Sequence, residues 1–171
     1  GRIVELTVAP PGAPRAGYSE GFLKATSSLP GITLVHQAPS KMLGEDTADR
    51  MNEVLRLQKD FEVIFAHNDL IAAAASKAVA AARPELKERI LVLGVDGNLG
   101  KGGGKEMIIK GDLDATICRP PLVDLACAII EKCLSDPLFT PKPRYDVKPV
   151  ALNFEAAIEV AKTGLPLPGI E

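Results

Sequence analysis

The feature that most constrains the fold is a regular alternation of short apolar runs with longer helical segments. Four runs are rich in Val, Ile and Leu, and they lie at 2–8, 32–37, 63–66 and 90–95. The segments between them place apolar residues on one helix face or are dominated by alanine, and they lie at 17–27, 46–59 and 70–82. Strands that alternate with helices predict βαβ units and hence an α/β fold, a parallel sheet flanked by helices.

The rest of the chain continues this alternation. It predicts a short helix around 106–110, a strand at 113–118, a helix at 122–134 and a strand at 145–153, followed by a helix or tail. The run at 90–95 (ILVLGV) is almost entirely apolar, as strands buried on both faces are. Asp69 precedes the alanine-rich helix and is predicted to cap it.

Composition excludes several classes of protein. The chain has 171 residues and a formal net charge of −2, so it carries no excess of positive charge with which to bind nucleic acid. With 46% hydrophobic and 25% charged residues it has the makeup of a globular protein rather than a disordered one. No apolar stretch approaches the roughly 20 residues that span a bilayer.

The three cysteines indicate neither a metal site nor a disulfide framework. Cys118, Cys127 and Cys133 do not have the spacing of zinc ligands. Cys127 and Cys133 fall on one predicted helix, about 9 Å apart along its axis, which is too far for a disulfide. All three are therefore predicted to be small packing residues.

Polar residues follow several of the predicted strands. Asn68 follows the third strand, Asp96 the fourth and Arg119 the fifth. In a parallel α/β sheet the carboxyl ends of the strands meet at one edge, where ligands bind. An amide and a carboxylate together offer the donors and acceptors that adjacent hydroxyls of a sugar or polyol require, although loop capping would account for the same residue types.

Two motifs suggest hydrolase or nucleotide chemistry but fit it poorly. Residues 17–21 (GYSEG) match the G-x-S-x-G elbow, yet the serine is predicted to lie in the first turn of a helix rather than on a sharp turn directly after a strand. Residues 94–105 (GVDGNLGKGGGK) contain neither a complete P-loop nor a dinucleotide-binding pattern. We therefore interpret this glycine-rich segment as a flexible loop and expect no cofactor.

His67, Asn68 and Asp69 form a potential metal cluster in sequence. Consecutive residues rarely converge on one ion, and no further ligand-type residue lies nearby in the sequence. We therefore predict no metal site, with His67 a polar residue at the end of a strand.

Several of these motifs occur together in an order that resembles a known family. They are 65–69 (FAHND), the alanine-rich 72–78, 93–98 (LGVDGN), 110–116 (KGDLDAT) with Pro120, and 19–22 (SEGF) after the opening strand. This series is similar to the ribose-type periplasmic sugar-binding proteins. Their type I periplasmic-binding-protein fold is shared with the effector-binding cores of lactose-repressor-like regulators and the sensor domains of some histidine kinases.

The resemblance implies a set of ligand-binding residues. Asn68 and Asp96 match the amide and carboxylate that bind ligand hydroxyls in the family. Arg119 stands where a glutamine near the hinge is common. Tyr18 stands where an arginine usually reaches the sugar, with Arg15 as a possible substitute, and Met42 where an aromatic ring often stacks on the sugar face.

The resemblance also implies a division of the chain. Members of the family have two lobes joined by three crossovers, and this chain resembles the carboxyl-terminal lobe, without the amino-terminal lobe. Residues 1–118 would form the ligand-binding lobe, 119–146 a hinge crossover and a helix that belongs with the missing lobe, and 147–171 the return strand and C-terminal helix or tail. Because the helix at 122–134 is more apolar than one sheet face requires, we expect part of it to be exposed.

The expected function is binding rather than catalysis. The chain would bind a small molecule, most simply a sugar, by hinge closure in the periplasm and deliver it to an ABC-type permease in the membrane. The alternative is regulatory: the sensing domain of a histidine kinase, or the effector core of a lactose-repressor-like regulator. Neither reading involves an enzyme activity, a cofactor or direct contact with nucleic acid by this lobe.

Overall fold

The structure is a computed structural model that describes residues 1–9, 16–58, 60–119 and 122–164. Its strands are β1 (Arg2–Ala9), β2 (Thr33–Lys41), β3 (Val63–Ala66), β4 (Leu91–Asp96), β5 (Ala115–Cys118) and β6 (Val150–Leu152). Its α-helices are α1 (Ala16–Thr26), α2 (Thr47–Leu57), α3 (Asp69–Ala82), α4 (Gly104–Lys110), α5 (Leu122–Ser135) and α6 (Phe154–Thr163), and a turn of 3-10 helix covers Pro84–Leu86.

The six strands form one sheet in the order β2-β1-β3-β4-β5-β6. All neighbouring pairs are parallel except β5 and β6, which are antiparallel. The chain moves outward from β1 to β2 and then crosses back to β3, β4 and β5. Because such crossovers are right-handed, this order places α1 on one face of the sheet and α2, α3 and α4 on the other.

The two faces differ in how they are covered. The packed face, formed by Val4, Leu6, Ile64, Ala66, Val92 and Cys118, joins a single hydrophobic core with residues of α2, α3, α4 and α6. The open face, formed by Glu5, Phe65, Val95 and Ile117, carries α1, whose Phe22 stacks on Phe65 with ring centroids 5.0 Å apart. Residues alternate between the two faces along each strand, as a pleated backbone requires.

The predicted order of elements is confirmed, with three corrections. The second strand continues through Pro39 to Lys41, because it lies at the edge of the sheet, where a missing N–H is tolerated. The last strand is shorter than predicted, spanning Val150–Leu152. Asp69 does not cap α3: the N-cap is Asn68, whose side-chain oxygen accepts a hydrogen bond from the Ile71 N–H.

Helix α5 exposes most of its apolar side chains, as predicted. Leu125 is its one buried residue, while Leu122, Val123, Ile130 and Leu134 are 58–83% exposed. The prediction that all three cysteines are packing residues is therefore wrong for Cys127 and Cys133, which are exposed on this helix; all three cysteines are free thiols. None of the helices in the described part of the chain has the length and apolar character needed to cross a membrane.

Candidate functional site at the carboxyl edge of the sheet

An ion pair joins the ends of two adjacent strands at this edge. Asp96 is the last residue of β4 and Arg119 directly follows β5. The Arg119 Nη2 atom lies 2.6 Å from Asp96 Oδ1, and the Arg119 backbone N–H also donates to the Asp96 carbonyl. Both side chains reach solvent, with 53% of Arg119 and 28% of Asp96 exposed. The pair therefore presents opposite charges side by side on an accessible surface.

The backbone of Asp96 is strained. Its φ of 115° makes it the one non-glycine residue with positive φ in the described ranges. Such conformations cost on the order of 1–3 kcal/mol and persist where the surrounding structure imposes them, commonly at binding sites. Gly97 follows with a φ of 59°, and a Cβ there would lie 2.4 Å from the Cys118 Cα. The chain thus turns sharply between the two strand ends and leaves Asp96 at the rim.

A cavity of about 650 Å³ lies beside the pair. It is lined by Asp96 and Arg119, by the glycine-rich loop before α4 and by the first residues of α3. This loop is held by hydrogen bonds from Gly100 N–H to Asn98 Oδ1 and from Gly102 N–H to Glu106 Oε2. The segment predicted to be a flexible loop is therefore held by several hydrogen bonds and shapes the wall of the cavity.

Asn68 is buried, at 2% exposure, and both ends of its amide bind the protein. Besides accepting from Ile71, it donates through Nδ2 to the Met42 carbonyl oxygen at 2.7 Å. Asn68 is thus observed in the alternative role named above, in which its side chain caps backbone groups of the protein. Met42 is nearly half exposed just beyond β2. Asn68 therefore fixes the backbone of Met42 at the same edge.

Asp69 has a structural role that its sequence position did not reveal. Its carboxylate is buried and accepts hydrogen bonds from Gly97 N–H at 2.8 Å and Thr116 Oγ1 at 2.5 Å. A Cβ at Gly94 or at Gly104 would lie 2.2 Å from one of its oxygens. Asp69 therefore connects α3 to the turn that follows Asp96, and the glycines leave room for it.

Tyr18 lies in the first turn of α1 and packs edge-on against the His67 ring, with centroids 5.5 Å apart. Together with Arg119 it lines a second, mainly apolar cavity of about 1110 Å³, which is bounded by α1, the open face, Leu122 of α5 and the segment before β6. The structure thus brings Tyr18, Met42, Asn68, Asp96 and Arg119 to one edge of the sheet. Arg15, the remaining predicted residue, lies outside the described residues.

Sequence reasoning missed a buried polar cluster next to this edge. Glu5, in the middle of β1, is fully buried and accepts three hydrogen bonds: from His67 Nε2 at 2.8 Å, Ser19 Oγ at 2.8 Å and Gln37 Nε2 at 2.7 Å. Burial alone would raise the pKa of Glu5, but hydrogen bonds from His67, Gln37 and Ser19 outweigh it and hold that pKa below its ordinary value. The available signal was a carboxylate between the apolar residues Val4 and Leu6 of a strand.

The serine, histidine and carboxylate in this cluster do not form a hydrolytic triad. A triad needs the histidine to accept the serine proton at one ring nitrogen while the acid binds the other. Here Ser19 Oγ, at 3.4 Å, and Glu5 Oε1, at 2.8 Å, both face His67 Nε2. Because a carboxylate can only accept, Nε2 carries the proton and cannot serve as the base for Ser19.

The described residues contain neither a candidate metal cluster nor an activated thiol at Cys118. No group of three or more His, Cys, Asp or Glu side chains in this part of the chain is arranged to hold a metal ion. Burial, and then the charge of Asp69, raise the pKa of the Cys118 thiol. A raised pKa keeps this cysteine protonated and poorly nucleophilic.

Comparison with known proteins places the fold of the chain in a class. No protein-family model and no curated protein matches the chain. Among solved structures, it is similar to the fructose-binding periplasmic domain of a hybrid two-component system, with 26% identity and a TM-score of 0.79 over 95% of this chain and 53% of that one. It is also similar to an ABC transporter periplasmic solute-binding protein from Actinobacillus succinogenes 130z with bound D-allose, with 26% identity and a TM-score of 0.75 over 93% and 55%.

A third structure matches at the level of the fold. It is the periplasmic binding protein of the arabinose ABC transporter from Shewanella sp. ANA-3, with 20% identity and a TM-score of 0.74 over 95% of this chain and 54% of that one. The chain therefore has the fold of one lobe of the ribose-type periplasmic sugar-binding proteins. The chain spans about half the length of these solute-binding proteins.

Proposed function

We propose that the chain is the carboxyl-terminal ligand-binding lobe of an extracytoplasmic protein that binds a sugar or a similar polyol. The observation that carries this proposal is the Asp96–Arg119 pair, held by a strained backbone beside a cavity at the carboxyl edge of the sheet. A carboxylate accepts hydrogen bonds and a guanidinium donates them, so the pair matches hydroxyls that do both. Its charges balance, which favours a neutral ligand.

The other residues at this edge would shape the site. Tyr18 and Met42 would form its walls, and Arg15 would take the place of the arginine that usually reaches the sugar in the family. Asn68, whose amide is engaged by the protein, would act mainly by holding Met42 in place. A single lobe encloses a ligand on one side, whereas small-molecule sites normally bury most of the ligand surface, so this chain alone should bind weakly.

The complete protein would close on its ligand about a hinge. Residues 1–118 would form this lobe and 119–146 a crossover whose helix α5 packs on a second lobe. The last part, 147–171, would return to this lobe. Exposure of the α5 side chains supports this division. Ligand contacts with both lobes would select the closed state, which a membrane partner then recognises.

The partner of the closed state would be an ABC-type permease, with the protein located in the periplasm. The D-allose-bound and arabinose-transporter neighbours support this assignment. The alternative partner is a sensor kinase, because the fructose-binding neighbour belongs to a hybrid two-component system.

The test is a titration of the ¹⁵N-labelled chain with D-allose, D-fructose, L-arabinose, myo-inositol and D-glucuronate, followed by NMR. We expect one or more neutral sugars to shift the amide signals of Gly97 and Arg119 in a saturable way. Asp96→Ala should abolish these shifts, while Asp49→Ala, a change to an exposed residue of α2, should preserve them. If none of the compounds shifts these signals, or if Asp96→Ala responds like the wild type, the proposed site is wrong.

A further inference from the structure

The cluster around Glu5 connects three separate elements to β1 on the open face of the sheet. Its donors come from α1 (Ser19), β2 (Gln37) and the end of β3 (His67). All three converge on one carboxylate that solvent does not reach. Nothing in the proposed contacts with ligand uses this carboxylate, so its presence requires another explanation.

Two of the donors are next in the chain to proposed site residues. Ser19 follows Tyr18, and His67 precedes Asn68. The Tyr18 ring also rests against the His67 ring. A shift of either donor would therefore move a wall of the site. Through Asn68, the connection extends to the Met42 carbonyl.

Burying a carboxylate does not by itself stabilise a fold. Removing an ionised group from water is costly, and replacing a buried ion pair by well-packed apolar residues is often neutral or stabilising. Charge-assisted hydrogen bonds, in contrast, fix direction and distance more tightly than apolar contacts do. The arrangement is thus suited to setting geometry.

We propose that Glu5 is a positioning residue for the ligand site. It fixes the first turn of α1 and the end of β3 relative to each other, and so sets the positions of Tyr18 and Asn68. This inference rests on the proposed function for its effect on affinity, but the coupling of Ser19 to Asn68 through Glu5 and His67 exists with or without ligand.

The test uses Ser19→Ala, which removes one donor and leaves the buried charge two others. In the NMR titration with the neutral sugar that binds most tightly, we expect affinity to fall about three- to tenfold, the equivalent of one hydrogen bond. The thermal midpoint should fall by a few degrees, because the buried charge loses one of its donors, and Ser19→Thr, which keeps the hydroxyl, should restore affinity. Ser27→Ala is the matched control, because Ser27 lies just past the end of α1 and binds the Lys24 carbonyl instead.

A ligand-free measurement separates this inference from the proposed function. The side-chain amide signals of Asn68 should move in Ser19→Ala and in Glu5→Gln but not in Ser27→Ala. If they stay in place in both cluster variants, or if Ser19→Ala binds sugar as the wild type does, Glu5 does not position the site. If the wild-type chain binds no sugar while the Asn68 signals do move, the proposed function fails and the positioning role stands.

Discussion

Both faces of the sheet have apolar strand residues that must be covered, but the two faces are covered in different ways. The packed face is sealed by helices, and residues such as Val4, Ile64 and Ile71 lie at 0% exposure in one continuous core. The open face instead has α1, the buried Glu5 cluster and a cavity of about 1110 Å³. The continuous apolar core therefore lies on the packed face, whereas the open face combines a buried polar cluster with a large cavity.

Helices α3 and α5 make the difference concrete. Both have 14 residues and are rich in apolar side chains. Eight residues of α3 are buried, against one of α5. Both sequences predict a buried apolar face. Helix α3 packs against the sheet, whereas α5 packs against no comparable surface within the described part of the chain. Hydropathy thus shows that a helix needs a partner without showing where that partner is.

The largest expected effect tests this contrast directly. Ile71→Ala on α3 removes a side chain with 0% exposure and should lower the free energy of unfolding by about 2–5 kcal/mol. Ile130→Ala on α5 removes one that is 58% exposed and should change it by about 0.5 kcal/mol or less. Urea unfolding followed by circular dichroism measures both. Equal losses would mean that α5 is packed within this chain and that the contrast is false.

A second prediction concerns pH and the open face. The pKa of Glu5 is lowered in the folded protein. Glu5 therefore stabilises the fold at pH values above its unfolded pKa, near 4.3. This stabilisation is lost as the pH falls through the folded pKa. Glu5→Gln removes the charge that accepts three donors and should cost on the order of 1–3 kcal/mol at neutral pH.

The measurement is the difference in unfolding free energy between the wild type and Glu5→Gln from pH 7 downward. This difference should shrink below about pH 4 and approach a constant value. The control is Glu88→Gln, a change to an exposed residue, whose difference from the wild type should stay near zero throughout. A Glu5→Gln difference that does not vary with pH would show that the Glu5 charge plays no part in stability.

Much of this contrast could be predicted from local sequence, because it follows from periodicity. The alternation of elements predicted the parallel sheet, the residues after β3, β4 and β5 located the candidate edge, and the excess of apolar residues at 122–134 indicated a helix that needs a partner. Each of these signals lies within a single element or its immediate flank. The sequence also indicated Asn68 as a polar residue of this edge, but not that the protein itself uses both ends of its amide.

What could not be predicted depends on contacts between distant segments. Glu5 meets Ser19, Gln37 and His67 across separations of 14, 32 and 62 residues. Asp69 reaches Thr116 across 47 residues. The spacing of residues within one element does not predict such contacts. Local sequence predicted that Asp69 caps α3, and its contact with Thr116 depends on the position of β5 beside β4.

The smallest expected effect is a gain in stability on the open face. Gly21 lies inside α1 and lines the large cavity, and a Cβ there would meet nothing within 4 Å. Glycine in a helix interior is less favourable than alanine by roughly 0.5–1 kcal/mol, so Gly21→Ala should stabilise the fold by about that amount.

On the packed face the sign of the effect reverses. At Gly94 a Cβ would lie 2.2 Å from Asp69 Oδ1, so Gly94→Ala should destabilise the protein. Thermal unfolding of the two variants measures both signs. A loss in Gly21→Ala would mean that the cavity is filled in solution and that the open face is as tightly packed as the other.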